Sequence, residues 1–327
     1  MKEFAYQRAT AVHDALESVA ENNTKFLAGG TNLVDLMKRG VETPARLIDV
    51  RALPLNGISE ARNGDLVIGA TTTNSETAAH PEIRRRYPAL SQAVLAGASG
   101  QLRNMATTAG NLLQRTRCAY FADLASACNK RVPGSGCAAV EGEHHNHAIL
   151  GTSPSCVATN PSDMAVAMML FDAVVRYETL TGKGEIPIAR FFRPVGDTPN
   201  VETTLPTGAL ITSVTLPRRA EGRRSRYRKV RERASYAFAN VSVAADLTVR
   251  LGKVREVRIA LGGVASHPWR ARIAEERLLG GPATPERFRA AAEAELAAAT
   301  PLPHNGYKVP LARNLVQAVL TDLTRQE

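Results

Sequence analysis

Apolar positions recur with two periods along this 327-residue chain. Val12, Ala15, Leu16 and Val19 share one face at helical spacing, which predicts a short amphipathic helix over residues 11–20. A short strand over Lys25–Ala28 runs into Gly29-Gly30-Thr31-Asn32, after which Leu33, Leu36 and Met37 return to helical spacing. With a strand at Leu47–Val50, residues 1–57 read as β-α-β-α-β. Further strands are expected at Leu66–Ala70, Ala173–Tyr177 and Leu210–Leu216, with a helix from about Met164 to Phe171. Ser242–Arg250 and Val254–Gly262 read as an antiparallel hairpin around Leu251-Gly252-Lys253. Helices over 271–279, 285–299 and 310–325 follow, with Gly, Pro or Thr at the joins. The pattern predicts three parts, residues 1–57, 58–216 and 225–327, and shows no repeat of solenoid period.

Composition narrows the class. With 44% apolar and 22% charged residues, the chain is neither disordered nor collagen-like, and its length suits two or three domains. No uncharged apolar stretch approaches the roughly 18 residues of a membrane span; the longest run, Met164–Phe171, is bounded by Asp163 and Asp172. The first residues, MKEFAYQRAT, have no apolar signal-peptide region, so an export signal is not expected there. Of the net charge of +10, much lies in residues 217–233, where nine Arg or Lys face two Glu. This run reads as a basic loop, either solvated or meeting a polyanion such as a nucleic acid, a phosphate-bearing cofactor or an acidic subunit. It lacks the interleaved aromatics that base stacking needs, so nucleic acid is not an expected partner.

All four cysteines fall within 39 residues, at Cys118, Cys128, Cys137 and Cys156, spaced C-x9-C-x8-C-x18-C. Their surroundings are rich in Gly, Ser, Pro and charge and lack periodicity, so an apolar core is not what orders them. Four thiolates suit an iron–sulfur cluster. Zinc is a rival, although the usual closely spaced pairs are absent, and disulfides or free thiols remain open. His144, His145 and His147 are expected to lie exposed on a polar loop.

Strand, glycine turn and helix around Gly29-Gly30 form an arrangement that aims backbone amides at an anion, because a Cβ there would hold a phosphate off. AGGTN matches no standard nucleotide motif, so a plain turn is the competing reading. A second small-residue stretch, Gly97-Ala98-Ser99-Gly100 followed by Thr107-Thr108-Ala109-Gly110-Asn111, adds hydroxyls and amides suited to a diphosphate. Ser162 and Asp163 follow the cysteines, and capping the next helix is their structural role.

FLAGGTNLVDLM, TTAGNLL, ATNPSDMA, YRKVRERASYAFANVSVA and GGVASHPWR occur in that order. Together they resemble the FAD-binding subunits of the molybdenum hydroxylases, the xanthine dehydrogenase and carbon monoxide dehydrogenase family, nearly end to end. The cysteine insert, residues 114–157, resembles that of the periplasmic aldehyde oxidoreductase branch, whose flavin subunit carries a [4Fe-4S] cluster. The flavin subunit of 4-hydroxybenzoyl-CoA reductase is the nearest rival, with xanthine dehydrogenase-like complexes and a self-sufficient flavin oxidase behind it.

The resemblance implies an α+β fold: a two-subdomain FAD-binding domain of the vanillyl-alcohol-oxidase type, then a domain with a small antiparallel sheet and helices. It implies that Phe26, Leu27, Ala28, Gly29, Gly30, Thr31, Asn32 and Leu33 wrap the diphosphate and adenosine of FAD. Thr108, Gly110 and Asn111 would complete the phosphate and ribityl side, Asp163 would contact the sugar portion, and Lys229 would stand near the isoalloxazine. Cys118, Cys128, Cys137 and Cys156 would ligate the cluster, with Arg115, Arg117, Lys130 and Arg131 offsetting its charge. FAD is expected to be bound without a covalent tether.

The chain itself would supply no catalytic residue for the aldehyde. Its expected partners are a molybdenum-cofactor catalytic subunit and a [2Fe-2S] subunit in a heterotrimer, with an external electron acceptor. The implied location is the periplasm, by co-export with a partner bearing a twin-arginine signal; the cytoplasm is the alternative.

Overall fold

Three sheets organise the chain in the computed structural model, which describes residues 1–20, 23–219 and 224–325. The first sheet is parallel, with Arg46–Asp49 between Ala5–Arg8 and Thr24–Leu27. The helices Val12–Val19 and Leu33–Lys38 make its crossovers. Ala15 and Leu16 of the first helix bury against Ile48, Val50 and Leu53, as their spacing predicts.

The second sheet is antiparallel throughout, in the order Ile58–Glu60, Leu66–Gly69, Leu210–Leu216, Val174–Thr179, Gly182–Pro187. Its two edge strands were not expected. Ile58–Glu60 has three residues, and Gly182–Pro187 carries two glycines and a proline, so pairing with a neighbour rather than propensity forms them.

The third sheet is also antiparallel, in the order Trp269–Arg270, Lys253–Gly262, Val241–Arg250, Ser225–Val230. Val241, Val243, Ala245 and Leu247 pack into a core with the helices Arg272–Leu278, Pro285–Leu296 and Lys308–Thr324. Ala244 and Ala260 face the other way, into the core of the second sheet. That second face is buried but partly polar, with Ser242 and Asp246 beside Ala244.

The basic run corrects the expectation of a loop. Ser225–Val230 within it is an edge strand, with Tyr227 buried and Arg226 and Arg228 reaching Asp322 of the last helix at 3.9 and 3.2 Å. Arg219 is buried over the Phe171 ring at 4.7 Å and pairs with Asp246. Residues 220–223 of the run lie outside the described residues.

The helix Asp163–Leu170 buries every one of its eight residues, as a helix apolar on all sides must. It lies between the helix Pro88–Ala96 and the third sheet and fastens the core of the second sheet to the last domain. Residues 114–157, by contrast, hold one four-residue helix, Ala119–Ala122, and isolated bridges such as Cys128 with Cys137. No helix among the described residues is long and apolar enough to cross a membrane.

Candidate functional site

The two-glycine turn meets the second small-residue stretch directly. A Cβ on Gly29 would lie 1.8 Å from the Met105 carbonyl oxygen, and Gly30 has φ +71°, so both positions require glycine. The turn opens the helix Leu33–Lys38 and brings Thr31 and Asn32 to the wall of a large cleft. Phe26 and Ala28 pack instead against the core of the first sheet and support the turn from behind. Leu27 lies beside Gly30, and Leu33 starts the helix.

Across the cleft, Thr107 caps the helix Thr108–Leu112 by accepting from the Gly110 amide. Gly110 and Asn111 line the cleft. Thr108 is fully buried and donates its hydroxyl to the Thr72 carbonyl at 3.1 Å, so its side chain braces this wall. Asn111 Oδ1 accepts from Ser162 at 2.6 Å, while Ser162 Oγ accepts from the Ala165 amide and caps the buried helix. Segments fifty residues apart are thereby joined at the cleft.

Asp163 and Lys229 complete the site as a pair. Asp163 Oδ2 accepts from Lys229 Nζ at 2.7 Å and Oδ1 accepts from Tyr227 at 2.5 Å. Lys229 Nζ also donates to the Ala96 carbonyl at 3.2 Å. Burial, then the neighbouring Asp163 carboxylate, pushes the Tyr227 hydroxyl well above its ordinary range, so it stays a donor. Tyr227 was missed from sequence, although alternation in Ser225-Arg226-Tyr227-Arg228-Lys229 puts it on the same face as Lys229.

The cleft has a volume of about 1140 Å³ and is bordered by Thr31, Asn32, Asn111, Asp163, Lys229 and Gly263 from both domains. On its lining, Asn32 Nδ2 and Asn74 Oδ1 are buried without a hydrogen-bond partner. Unpaired buried amides beside an open cleft are what an extended polar ligand satisfies. These residues fit a dinucleotide such as FAD.

The four cysteines also converge. Cys118, Cys128, Cys137 and Cys156 border one small cavity of about 10 Å³, together with Tyr120, Phe121 and Lys130, and all four are free thiols. Burial pushes the Cys118 thiol up to about 11, and Cys128 and Cys137 add to this. Cys156 holds Cys137 at about 6 through a hydrogen bond, and the same bond and burial push Cys156 up. Four such groups ionise together only around a cationic centre. No three His, Cys, Asp or Glu side chains among the described residues stand close enough for a single metal ion.

The histidines correct an expectation. His144 and His147 are buried rather than exposed, and His147 Nε2 lies 3.2 Å from Cys118 Sγ. His144 stacks on His304 with ring centroids 4.7 Å apart and accepts from the His304 amide. His145 stays at the surface, on Tyr307 and beside Glu232.

The flanking cations do more than face sulfur. Arg115 pairs with Glu42 at 2.7 Å and with Glu202, while Arg131 donates to the Tyr120 and Phe121 carbonyls. Lys130 pairs with Glu202 at 2.7 Å and also favours the Cys156 thiolate. Arg117 lies over the Phe238 ring at the cleft.

Known proteins are similar to this chain over its length. A family model described as the FAD binding domain in molybdopterin dehydrogenase matches residues 2–219, and one described as the CO dehydrogenase flavoprotein C-terminal domain matches 225–323. The chain is 51% identical over 330 residues to the aldehyde oxidoreductase FAD-binding subunit PaoB of Escherichia coli (strain K12), covering 100% of both. It is 26% identical to the glyceraldehyde dehydrogenase medium chain of Sulfolobus acidocaldarius, covering 85% of this chain and 82% of that one. The solved carbon monoxide dehydrogenase of Hydrogenophaga pseudoflava superposes with a TM-score of 0.77 at 25% identity, covering 99% of this chain and 98% of that one. The expected α+β class, an FAD-binding domain followed by a small antiparallel sheet with helices, is the one the chain adopts. The chain is an oxidoreductase subunit and belongs to the FAD-binding subunits of the molybdenum hydroxylase family.

Proposed function

We propose that this chain is the electron-transferring subunit of a molybdenum-dependent aldehyde oxidoreductase, with FAD in the cleft and a [4Fe-4S] cluster on Cys118, Cys128, Cys137 and Cys156. The observation that carries the reading is the convergence of Thr31 and Asn32 after the two glycines, Asn111 and the Asp163–Lys229 pair on one cleft with unpaired buried amides. The full-length likeness to an aldehyde oxidoreductase subunit supports the substrate class. Four free thiols around one cavity support the cluster.

When bound, FAD accepts electrons singly and passes them on in pairs. The chain's own part is to bind and orient. Thr31, Asn32, Gly110 and Asn111 present the polar wall for the phosphate end. Asp163 fixes Lys229, leaving one of the three ammonium donors for a ligand on the cleft side. Aldehyde oxidation belongs to a molybdenum-cofactor partner, electrons arrive through a [2Fe-2S] partner in a heterotrimer, and an external acceptor removes them. The proposed location is the periplasm, reached as a folded complex on the partner's twin-arginine signal.

A visible spectrum with an iron assay on the purified complex and on this subunit tests the cofactors. Flavin bands are expected, with about four irons per copy of this chain beyond those of the [2Fe-2S] partner. Flavin without that iron overturns the cluster, and absence of both overturns the whole reading. Cell fractionation with the partner's signal removed tests location: the chain should then remain cytoplasmic.

A further inference from the structure

We propose that His147 tunes the four-cysteine site by donating its Nε2–H to Cys118 Sγ, and that Lys308 is the positioning residue that holds His147 there. This rests on the reading of the four cysteines as cluster ligands. The ring nitrogen lies 3.2 Å from the sulfur, and the side chain is buried. Nδ1 of the same ring has no partner. A proton on Nε2 therefore has an acceptor, whereas a proton on Nδ1 would be a buried donor with none, and the first tautomer prevails.

The backbone of His147 is fixed just as firmly. Its carbonyl accepts from Lys308 Nζ at 3.0 Å and from Asn305 Nδ2 at 3.3 Å. Both donors are fully buried. Lys308 Nζ also donates to the Gly263 carbonyl at 2.8 Å, and Gly263 borders the large cleft. One buried ammonium thus joins the wall of the flavin cleft to the loop that faces the thiols. Backbone amides reach several of the sulfurs: those of Phe121 and Tyr120 donate to Cys118, those of Ala139, Val157 and Val140 to Cys137, and that of Ala158 to Cys156, whereas His147 adds a side-chain N–H at Cys118. An N–H donor to a ligating sulfur spreads negative charge that grows on reduction, so the bond favours the reduced state and raises the potential.

The test is a redox titration of the isolated complex followed by electron paramagnetic resonance, with iron content measured on the same samples. His147→Phe keeps the ring's bulk without the donor. It should retain iron and show a reduction equilibrium about tenfold less favourable, a fall of about 59 mV for one electron. His147→Gln restores an amide donor and should recover most of the loss. Lys308→Met should lower the potential in the same direction by less. His147→Phe with full iron and an unchanged potential overturns the proposal. If that variant is recovered with only the iron of the [2Fe-2S] partner, Lys308→Met decides: with full iron, a lowered potential upholds the proposal and a wild-type potential overturns it. A wild-type complex with no iron beyond that of the [2Fe-2S] partner is a different failure, because it removes the cluster itself.

Discussion

In the last sheet, two ten-residue strands turn one face of alternating apolar side chains into a core that three helices close over. In residues 114–157, one short helix and isolated bridges are held by Asn129 and Arg131 on carbonyls of the segment itself and by Arg115 and Lys130 on the carboxylates of Glu42 and Glu202. The first region is ordered by area removed from water, which needs no individual partner. The second is ordered by specific polar bonds, each of which depends on one geometry. Where the two meet, Ile149 and Leu150 enter the core of the last domain, and Lys308 of that domain reaches back to His147. Burial alone therefore does not reveal how a segment is held.

Core and insert should respond differently to mutation. Phe288 is fully buried among the helices of the last domain, so Phe288→Ala should lower global stability by about 3–5 kcal/mol in urea unfolding. Lys130→Met removes one of the two cations on Glu202 and leaves Arg115 as the other, at a cost of about 1.5 kcal/mol. That loss should surface as faster amide exchange within residues 118–142, with the protection of strand Val241–Arg250 unchanged. Equal loosening of both regions would break the distinction drawn above.

The contact between the two regions should also depend on pH. Burial first, then Lys308 and His144, hold His147 at about 4 rather than 6.5, so the unfolded chain takes up this proton before the folded one. Stability should fall as pH drops from 6.5 to 4, by at most about 1.4 kcal/mol per pH unit, and then level off. Burial holds Lys308 at about 7 against 10.5, so its contribution falls as pH drops through that higher window. His147→Phe should flatten the lower window and Lys308→Met the upper, both read from the pH dependence of urea midpoints. Least affected should be Arg289→Ala, whose partner Glu293 is an exposed neighbour one turn away; a change of about 0.5 kcal/mol or less is expected from the same measurement.

Sequence alone determined the elements that carry their own periodicity. The hairpin strands, the buried helix after Ser162 and the three closing helices lie within a few residues of their expected bounds. The glycine turn was legible because few residues other than glycine adopt positive φ or permit so close a backbone approach. Tertiary structure decided the rest. Strand Ser225–Val230 forms because Val241–Arg250 offers it a ladder, and its arginines find Asp322 nearly a hundred residues away. His144 and His147 are buried because the loop before the last helix closes over them, and no local pattern encodes that. Periodicity records which face of an element meets an apolar neighbour, whereas the partner of a single charge or ring nitrogen depends on where distant segments come to rest.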